Sequence, residues 1–525
     1  MKFQILNYKF QISLDCLTIA GILILASFLR LYRIADYITF LGDEGRDVLV
    51  VYNILHGNLT LLGPTASVGG FFLGPIYYYF MTPFLWLFNY NPVGPAVMVA
   101  LFGIATVWLV YKVGSDFFNV KTGLIASILY AVSPIIVTYS RSSWNPNLMP
   151  FFSLLTIYVL FQAVKKTSAK LFIASGVLFG ILMQLHYLAT FLGAAIVIYI
   201  IFLEIIAKNR LFVKIIKIFK NYFYLFIGFI IGWSPFLLFE VRHGFPNTQS
   251  IFSFIFHSND TGGGVNFFGI VSDVFFRLFA RLVFKFPPSE QLYMYSKLHI
   301  SFWSISITIL ALISIGIVLF QLRSFLKEKK EEVQKASLLL IWLISGLLFF
   351  GFYKKSIYDY YFGFMFPLPF IFIGNLFSTF LNNSLTKPLS IMVFAFLVVF
   401  NFSHNSFKYE PNRQLLQAET ISRFVFDKTD KKPFNFALIT GGNSDHAYRY
   451  FFTIWNKPPM VIQNPVIDPE RKSVADQLFV VCESNPCEPI GHSLWEIAGF
   501  GRAEIAGEWN VSVVKVYKLV HYKGG

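Results

Sequence analysis

Charge is scarce in this chain: 14% of its 525 residues are Asp, Glu, Lys or Arg, against 56% hydrophobic and 19% aromatic. Water-soluble domains carry roughly 25% charged residues, so one aqueous core is excluded as the destination of this much apolar surface. Cysteine is scarcer still, with three residues, and no Cys/His cluster has metal-site spacing, which leaves a zinc-type site without ligands. No internal repeat or low-complexity tract interrupts the sequence.

Long hydrophobic runs are what the chain has instead. A membrane span needs about 20 apolar residues to cross roughly 30 Å of hydrocarbon with every backbone amide satisfied inside the segment. Runs of that kind occupy Leu14–Ile34, Pro95–Val113, Gly123–Tyr139, Leu148–Val164, Leu171–Leu185, Tyr187–Ile206, Tyr222–Phe239, Ile300–Leu322, Ala336–Phe352, Tyr361–Phe380 and Leu389–Ser403. This predicts an α-helical polytopic membrane protein with about eleven spans. The first run is too long for a signal-peptide core and lacks a small-residue cleavage site, so it is expected to be a retained span. A further piece, Phe71–Phe88, carries Pro75 and Pro83, and length alone does not classify it.

The formal net charge of +15 comes from short Lys/Arg clusters between hydrophobic runs, not from one basic face, so no nucleic-acid partner is expected. If Phe71–Phe88 does not cross, Lys112 and Lys121, Lys165, Lys166 and Lys170, Lys208 through Lys220, Arg323 through Lys330, and Lys387 share one side. The positive-inside rule makes that side the cytoplasm. Phe71–Phe88 is then interfacial or re-entrant within a first outer loop (35–92), the N-terminus is cytoplasmic, and a large outer loop spans 240–298. Everything after Ser403 lies outside.

Beyond Ser403 charged residues return and hydrophobic runs shorten to strand length at Phe434–Thr440, Gln477–Cys482 and Val511–Leu519, with helical patterns at Arg413–Phe426 and His446–Trp455 between them. The expectation is a membrane domain over 1–403 and a small soluble α/β domain over 404–525. Cys482 and Cys487 stand within reach of each other there; a disulfide and two buried thiols both fit the spacing.

The first outer loop opens with Leu41-Gly42-Asp43-Glu44-Gly45-Arg46-Asp47, adjacent carboxylates just beyond a span. The plain reading makes Asp43 the N-cap of a helix from Glu44 to Leu55, with Arg46 and Asp47 as ordinary first-turn charges. A Gly-rich stretch, Leu62 to Pro75, follows with Tyr77, Tyr78 and Tyr79; glycine permits close backbone approach and tyrosine suits the lipid–water interface.

The order of these features resembles the GT-C glycosyltransferases that use polyprenyl-phosphate sugars, in the branch of protein mannosyltransferases and bacterial aminoarabinose or mannosyl transferases. The features are Asp43-Glu44 after the first span, Gly-Pro-Ile-Tyr-Tyr-Tyr (Gly74 to Tyr79), Tyr-Ala-Val-Ser-Pro (Tyr130 to Pro134), Tyr-Ser-Arg (Tyr139 to Arg141) and a soluble C-terminal domain. The resemblance covers nearly the whole chain and implies a GT-C fold. It also implies inverting transfer of a sugar from a polyprenyl-phosphate donor to a hydroxyl of a glycan, lipid or protein, on the outer face of a plasma membrane. Asp43 would take the family's catalytic carboxylate position and accept the hydroxyl proton. Glu44 would orient the acceptor or Asp43, or bind a cation. Several relatives place a second acid in the second outer loop, where this chain has Asn145 and Asn147; amide oxygens are poorer ligands for a hard divalent ion, so no cofactor is expected to be required.

For the departing phosphate the outer-face cations are Arg141, Arg242 with His243, and Lys354 with Lys355 beside Tyr358. Arg242 leads, because it follows a span directly and arginine binds phosphate bidentately; the plain alternative is snorkelling toward lipid headgroups. His186 sits between two spans and is assigned a secondary donor-site role, with Asn145, Asn147 and Asp47 completing the substrate-binding set. Asn259–Gly264 reads either as a cover over the site or as a surface turn. The rival class is a transporter or lipid-linked-sugar flippase, which places ionisable residues inside spans and often shows two related halves. A non-enzymatic anchor is the third reading, and it leaves the outer-loop carboxylates without a purpose.

Overall fold

The computed structural model describes residues 14–207, 210–257, 266–325, 330–484, 486–522 and 524. The Asn259–Gly264 segment and the basic residues Lys208, Lys327 and Lys329 lie outside the described residues. Each of the eleven hydrophobic stretches carries helix. Among the described residues seven helices are long and apolar enough to cross a membrane, and the bent pair Asp359–Met365 and Pro367–Leu381 reaches the same length and composition only when its two halves are taken together. The remaining stretches carry the shorter apolar helices Val120–Val132, Ala169–Leu185 and Lys387–Ser403.

Three expected spans are interrupted, each next to a proline. The Gly123–Tyr139 run breaks at Ser133, ahead of the helix Pro134–Tyr139. The Tyr361–Phe380 run bends by 59° just before Pro367. The expected span Tyr222–Phe239 is displaced: the long helix is Leu211–Gly232, and Ser234–His243 starts anew with Pro235 in its first turn. Proline lacks the N–H a continuing helix needs and its ring disfavours helical backbone before it, so each break has a local cause. Lys214, Lys217 and Lys220, expected in a loop, are therefore on the first turns of a helix.

Contacts at the two ends sort the loops. At one end Lys165 pairs with Glu331 and Lys217 with Glu204, while Lys121 donates to Asn382. At the other end Asp36 accepts from the Arg413 amide, Gly42 donates to Asn443 and Arg277 and Arg281 pair with Asp359. The helix within Phe71–Phe88 is Ile76–Leu87, 12 residues long, or about 18 Å at 1.5 Å per residue, too short to cross. Both its ends are held at the Asp43 end: Ile76 donates to Gln184, and the Tyr90 carbonyl accepts from Tyr450 of the C-terminal domain.

Helix–helix packing in lipid relies on small residues, because the surrounding chains are as apolar as the helices. Ala169–Leu185 and Leu211–Gly232 meet through Gly176 and Gly180 on one and Gly228 and Gly232 on the other. A Cβ on Gly176 would lie 2.1 Å from the Leu225 carbonyl oxygen, and one on Gly228 2.0 Å from that of Ile173. The same joint reaches the first loop, since Gln184 donates to the Gly232 carbonyl and accepts from Ile76.

The C-terminal unit has the strands β1 (Asn435–Ile439), β2 (Gln477–Cys482), β3 (Ala503–Val511) and β4 (Val514–His521) in the order β1-β2-β4-β3. β1 and β2 are parallel and buried along their whole length, and the other pairings are antiparallel. The expected single strand Val511–Leu519 is instead the turn and second arm of a hairpin. β3 escapes a hydrophobicity reading because most of its residues are partly or fully exposed and polar ones alternate with apolar ones. Cys482 and Cys487 are disulfide-bonded.

Gly176→Ala is expected to force the two glycine-faced helices apart and lower stability by about 1–3 kcal/mol, seen as a lower thermal midpoint in detergent, whereas Gly21→Ala, with open space around the added methyl, leaves it unchanged.

Candidate active site

The first-loop helix runs Gly42–Leu55, with Leu41 at the N-cap. Asp43 is therefore inside the first turn and is not the cap. Leu41 has no side-chain acceptor, and the turn is closed from two other directions. Glu44 accepts from the Leu41 amide at 3.0 Å, and Asn443 of the C-terminal domain accepts from the Gly42 amide at 2.8 Å. Gly45 lies flat against the next helix of that domain, His446–Ile454, where a Cβ would sit 2.3 Å from the Ala447 nitrogen.

The three carboxylates of this turn have different surroundings. Asp43 is 57% exposed at its side chain and is paired with Arg46 at 2.9 Å. Asp47 is fully buried beneath it, bonded to Arg46 at 2.8 Å and to the Tyr78 hydroxyl at 3.1 Å. Burial pushes the Asp47 carboxyl up to about 6 even against the pull of Arg46. Glu44 is buried too, and burial lifts it to about 7, with its two backbone hydrogen bonds pulling the other way.

Asp43 stands where two cavities meet. One, of about 170 Å³, is lined by Asp43, Arg46, Thr65, Ser67, Trp144, Asn145, His186 and Tyr360 among others. The other, of about 500 Å³, is lined by Thr39, Asp43, Glu44, Thr138, Ser142, Trp144, Asn147 and the domain loop Gly442–Ser444. His186 is buried, and burial drives its imidazole down to about 3, so it is neutral at physiological pH. Its Nδ1 accepts from the Leu188 amide at 3.3 Å, which leaves the proton on Nε2 as a donor.

The other members of the expected set divide between the cavities and places away from them. Asn145 and Asn147 border the cavities, with their amide groups donating to the carbonyls of Leu185 and Ser142. Tyr358 stacks on Tyr360, one step behind the wall. Arg141 is a correction: it is buried, donates to the Leu29 and Tyr32 carbonyls, and lies over the rings of Tyr37 and Phe407. It caps the C-terminal end of the first span, where free carbonyls attract a cation. Arg242 and His243 are exposed at the end of Ser234–His243, with His243 bonded to its own helix at Phe239. Neither they nor Lys354 and Lys355 line the cavities beside Asp43. Among the described residues no group of three His, Cys, Asp or Glu side chains could hold a metal ion.

A third cavity, of about 730 Å³, shares Thr39, Thr138 and Ser142 with the second and carries Arg281, Lys285, Lys408, Trp303 and Phe400. The Lys285 ammonium donates to the His404 carbonyl at 2.8 Å. These cations were missed in the sequence. Their signal was present, because Arg277, Arg281 and Lys285 recur every four residues and so share a face along and just beyond the helix Phe267–Phe284.

Residues 73–237 match the family model described as dolichyl-phosphate-mannose-protein mannosyltransferase. No curated protein matches the sequence. Solved structures do match in fold. ArnT from Cupriavidus metallidurans bound to undecaprenyl phosphate aligns over 96% of this chain and 97% of its own, at 12% identity and a TM-score of 0.58. The archaeal oligosaccharyltransferase AglB from Archaeoglobus fulgidus, in complex with an inhibitory peptide and a dolichol-phosphate, aligns over 89% of this chain and 69% of its own, at 12% identity and a TM-score of 0.52.

A carboxyl whose folded-state value is raised holds its proton more tightly than in the unfolded chain, so stability falls as pH climbs from the ordinary carboxyl value toward about 7 and is level above it. Glu44→Gln keeps the acceptor for Leu41 and removes the titration. Its thermal stability relative to wild type is expected to improve by about 2 kcal/mol between pH 5 and pH 8, read by differential scanning fluorimetry in detergent.

Proposed function

We propose that this multi-pass membrane protein, whose fold is that of the GT-C glycosyltransferases, transfers a sugar from a polyprenyl-phosphate donor to an acceptor hydroxyl with Asp43 as the general base. The observation that carries the reading is the position of Asp43: a largely exposed carboxylate facing both a small cavity that also holds His186 and one continued by the third, basic cavity. The donor's isoprenoid chain suits the wall of Trp303 and Phe400. Its phosphate suits Lys285 and Arg281, and the sugar then lies toward Thr39 and Ser142 with its anomeric carbon facing Asp43. The acceptor enters from the other side of Asp43. Its oxygen forms the new bond to the anomeric carbon while its proton passes to the carboxylate. The carbon–oxygen bond to phosphate breaks, and the polyprenyl phosphate leaves with the electron pair, so the anomeric centre inverts.

His186 supports this arrangement as a neutral donor toward a sugar hydroxyl, and Arg46 ties Asp43 to Asp47 by pairing with both carboxylates. The positive-inside reading puts the site on the outer face of a plasma membrane, with the N-terminus cytoplasmic and the C-terminal domain outside. A bonded Cys482–Cys487 pair suits an oxidising compartment. The family model and the structural neighbours support a phosphoisoprenoid donor; sugar and acceptor are set by cavity shape.

Asp43→Asn is expected to lower transfer by roughly 10²–10⁴-fold with thermal stability unchanged. Mass spectrometry of envelope glycans and glycoproteins, from cells lacking the gene and complemented with each form, reads this out; a full product signal with the variant removes Asp43 from the mechanism. Lys285→Ala is expected to weaken undecaprenyl phosphate binding by about 10-fold, with Arg242→Ala indistinguishable from wild type, as measured by native mass spectrometry or fluorescence quenching.

A further inference from the structure

A helix that begins without a polar N-cap leaves its first amides unsatisfied, and the first turn frays. The helix carrying Asp43 begins this way, with Leu41 in the cap position. The missing acceptor comes from a residue about 400 positions away: the Asn443 side-chain oxygen takes the Gly42 amide at 2.8 Å and the Ser444 amide at 2.9 Å. Asn443 is itself oriented, because its amide nitrogen points to Glu483 at 3.4 Å, and Glu483 is held by Thr440 at 2.9 Å and Tyr448 at 2.7 Å. The approach is possible only because residues 42 and 45 are glycine. A Cβ on Gly42 would lie 2.1 Å from the Ser444 oxygen, and one on Gly45 2.5 Å from the Ala447 Cα.

We infer that Asn443 is a positioning residue for Asp43: the C-terminal domain supplies in trans the N-cap that the catalytic turn lacks, and so sets where the carboxylate stands between its two cavities. The domain is then part of the site, not an appendage to it. The same loop gives Gly442, Asn443 and Ser444 to the wall of the larger cavity, so holding the turn and closing the cavity are one act. The catalytic meaning of the contact rests on the transferase reading; the contact and its mechanical effect do not.

Hydrogen–deuterium exchange of the full-length protein in lipid nanodiscs separates the two. Asn443→Ala is expected to speed exchange of the amides of residues 42–46 by more than 10-fold while leaving β1, β2 and the helix His446–Ile454 at wild-type rates. Adding Leu41→Ser, which supplies a cap in cis, is expected to return the turn to within threefold of wild type. Unchanged exchange at 42–46, an increase spread equally over the C-terminal domain, or an increase that Leu41→Ser leaves in place each overturns the inference. In parallel, turnover of mannosyl-phosphoryl-undecaprenol by the Asn443→Ala single variant is expected to show kcat lowered by about 10-fold or more with donor KM within twofold. A raised KM at unchanged kcat overturns the positioning role. Absence of wild-type turnover with this donor counts against the transferase reading's donor, and the exchange arm still decides the cap.

Discussion

The structure depends on one close approach: the backbone of the turn Gly42-Asp43-Glu44-Gly45 lies against the backbone of the C-terminal domain at Ser444 and Ala447. Backbone-to-backbone contact at that distance tolerates no side chain, which is why glycines flank the paired acids. Around it the burial of the carboxylates is graded. Asp43 keeps solvent, Glu44 turns back to its own helix and Asp47 goes under, and burial raises the carboxyls of the last two. One carboxylate stays at the cavities, Arg46 links it to the buried Asp47, and Glu44 closes the start of the helix.

The second constraint is that lipid satisfies no backbone amide. Three of the expected spans are interrupted, and a proline stands beside each interruption. Ser133 donates to the Leu282 carbonyl at one such break, and the bend before Pro367 lies beside the aromatic group Tyr358, Tyr360 and Tyr361. Glycine acts in the opposite sense, joining helices where proline divides them. Gly176, Gly180, Gly228 and Gly232 let two helices touch, and through Gln184 that joint fixes the start of the interfacial helix. The floor of the site is thus tied to the membrane packing, and its roof to the soluble domain.

Much of this was legible in the linear chain. Hydrophobic length located the eleven helical stretches, the Lys/Arg clusters sorted the loops into two sets, and the Asp-Glu pair marked the turn at which the cavities meet. The cations were harder. Arg141 reads as a loop arginine available to phosphate, yet it caps a helix whose free carbonyls lie more than 100 residues earlier in the chain. Arg242 looked well placed because it follows a helix, and it is exposed on its far end. Arg281 and Lys285 were the opposite case, their regular spacing visible but their partner Asp359 and cavity neighbour His404 too distant in sequence to be inferred.

Local chemistry is set by residue type and spacing, and a sequence carries both. Apolar runs must become helices in lipid, a proline stands beside each interrupted run, and the adjacent acids follow directly on the first span; these the sequence determined by itself. Which cation faces the cavity, which carboxylate is buried and which residue caps the Asp43 helix depend on groups brought together across hundreds of residues. Desolvation and hydrogen bonding act through space over a few ångströms, so only the tertiary structure decided them.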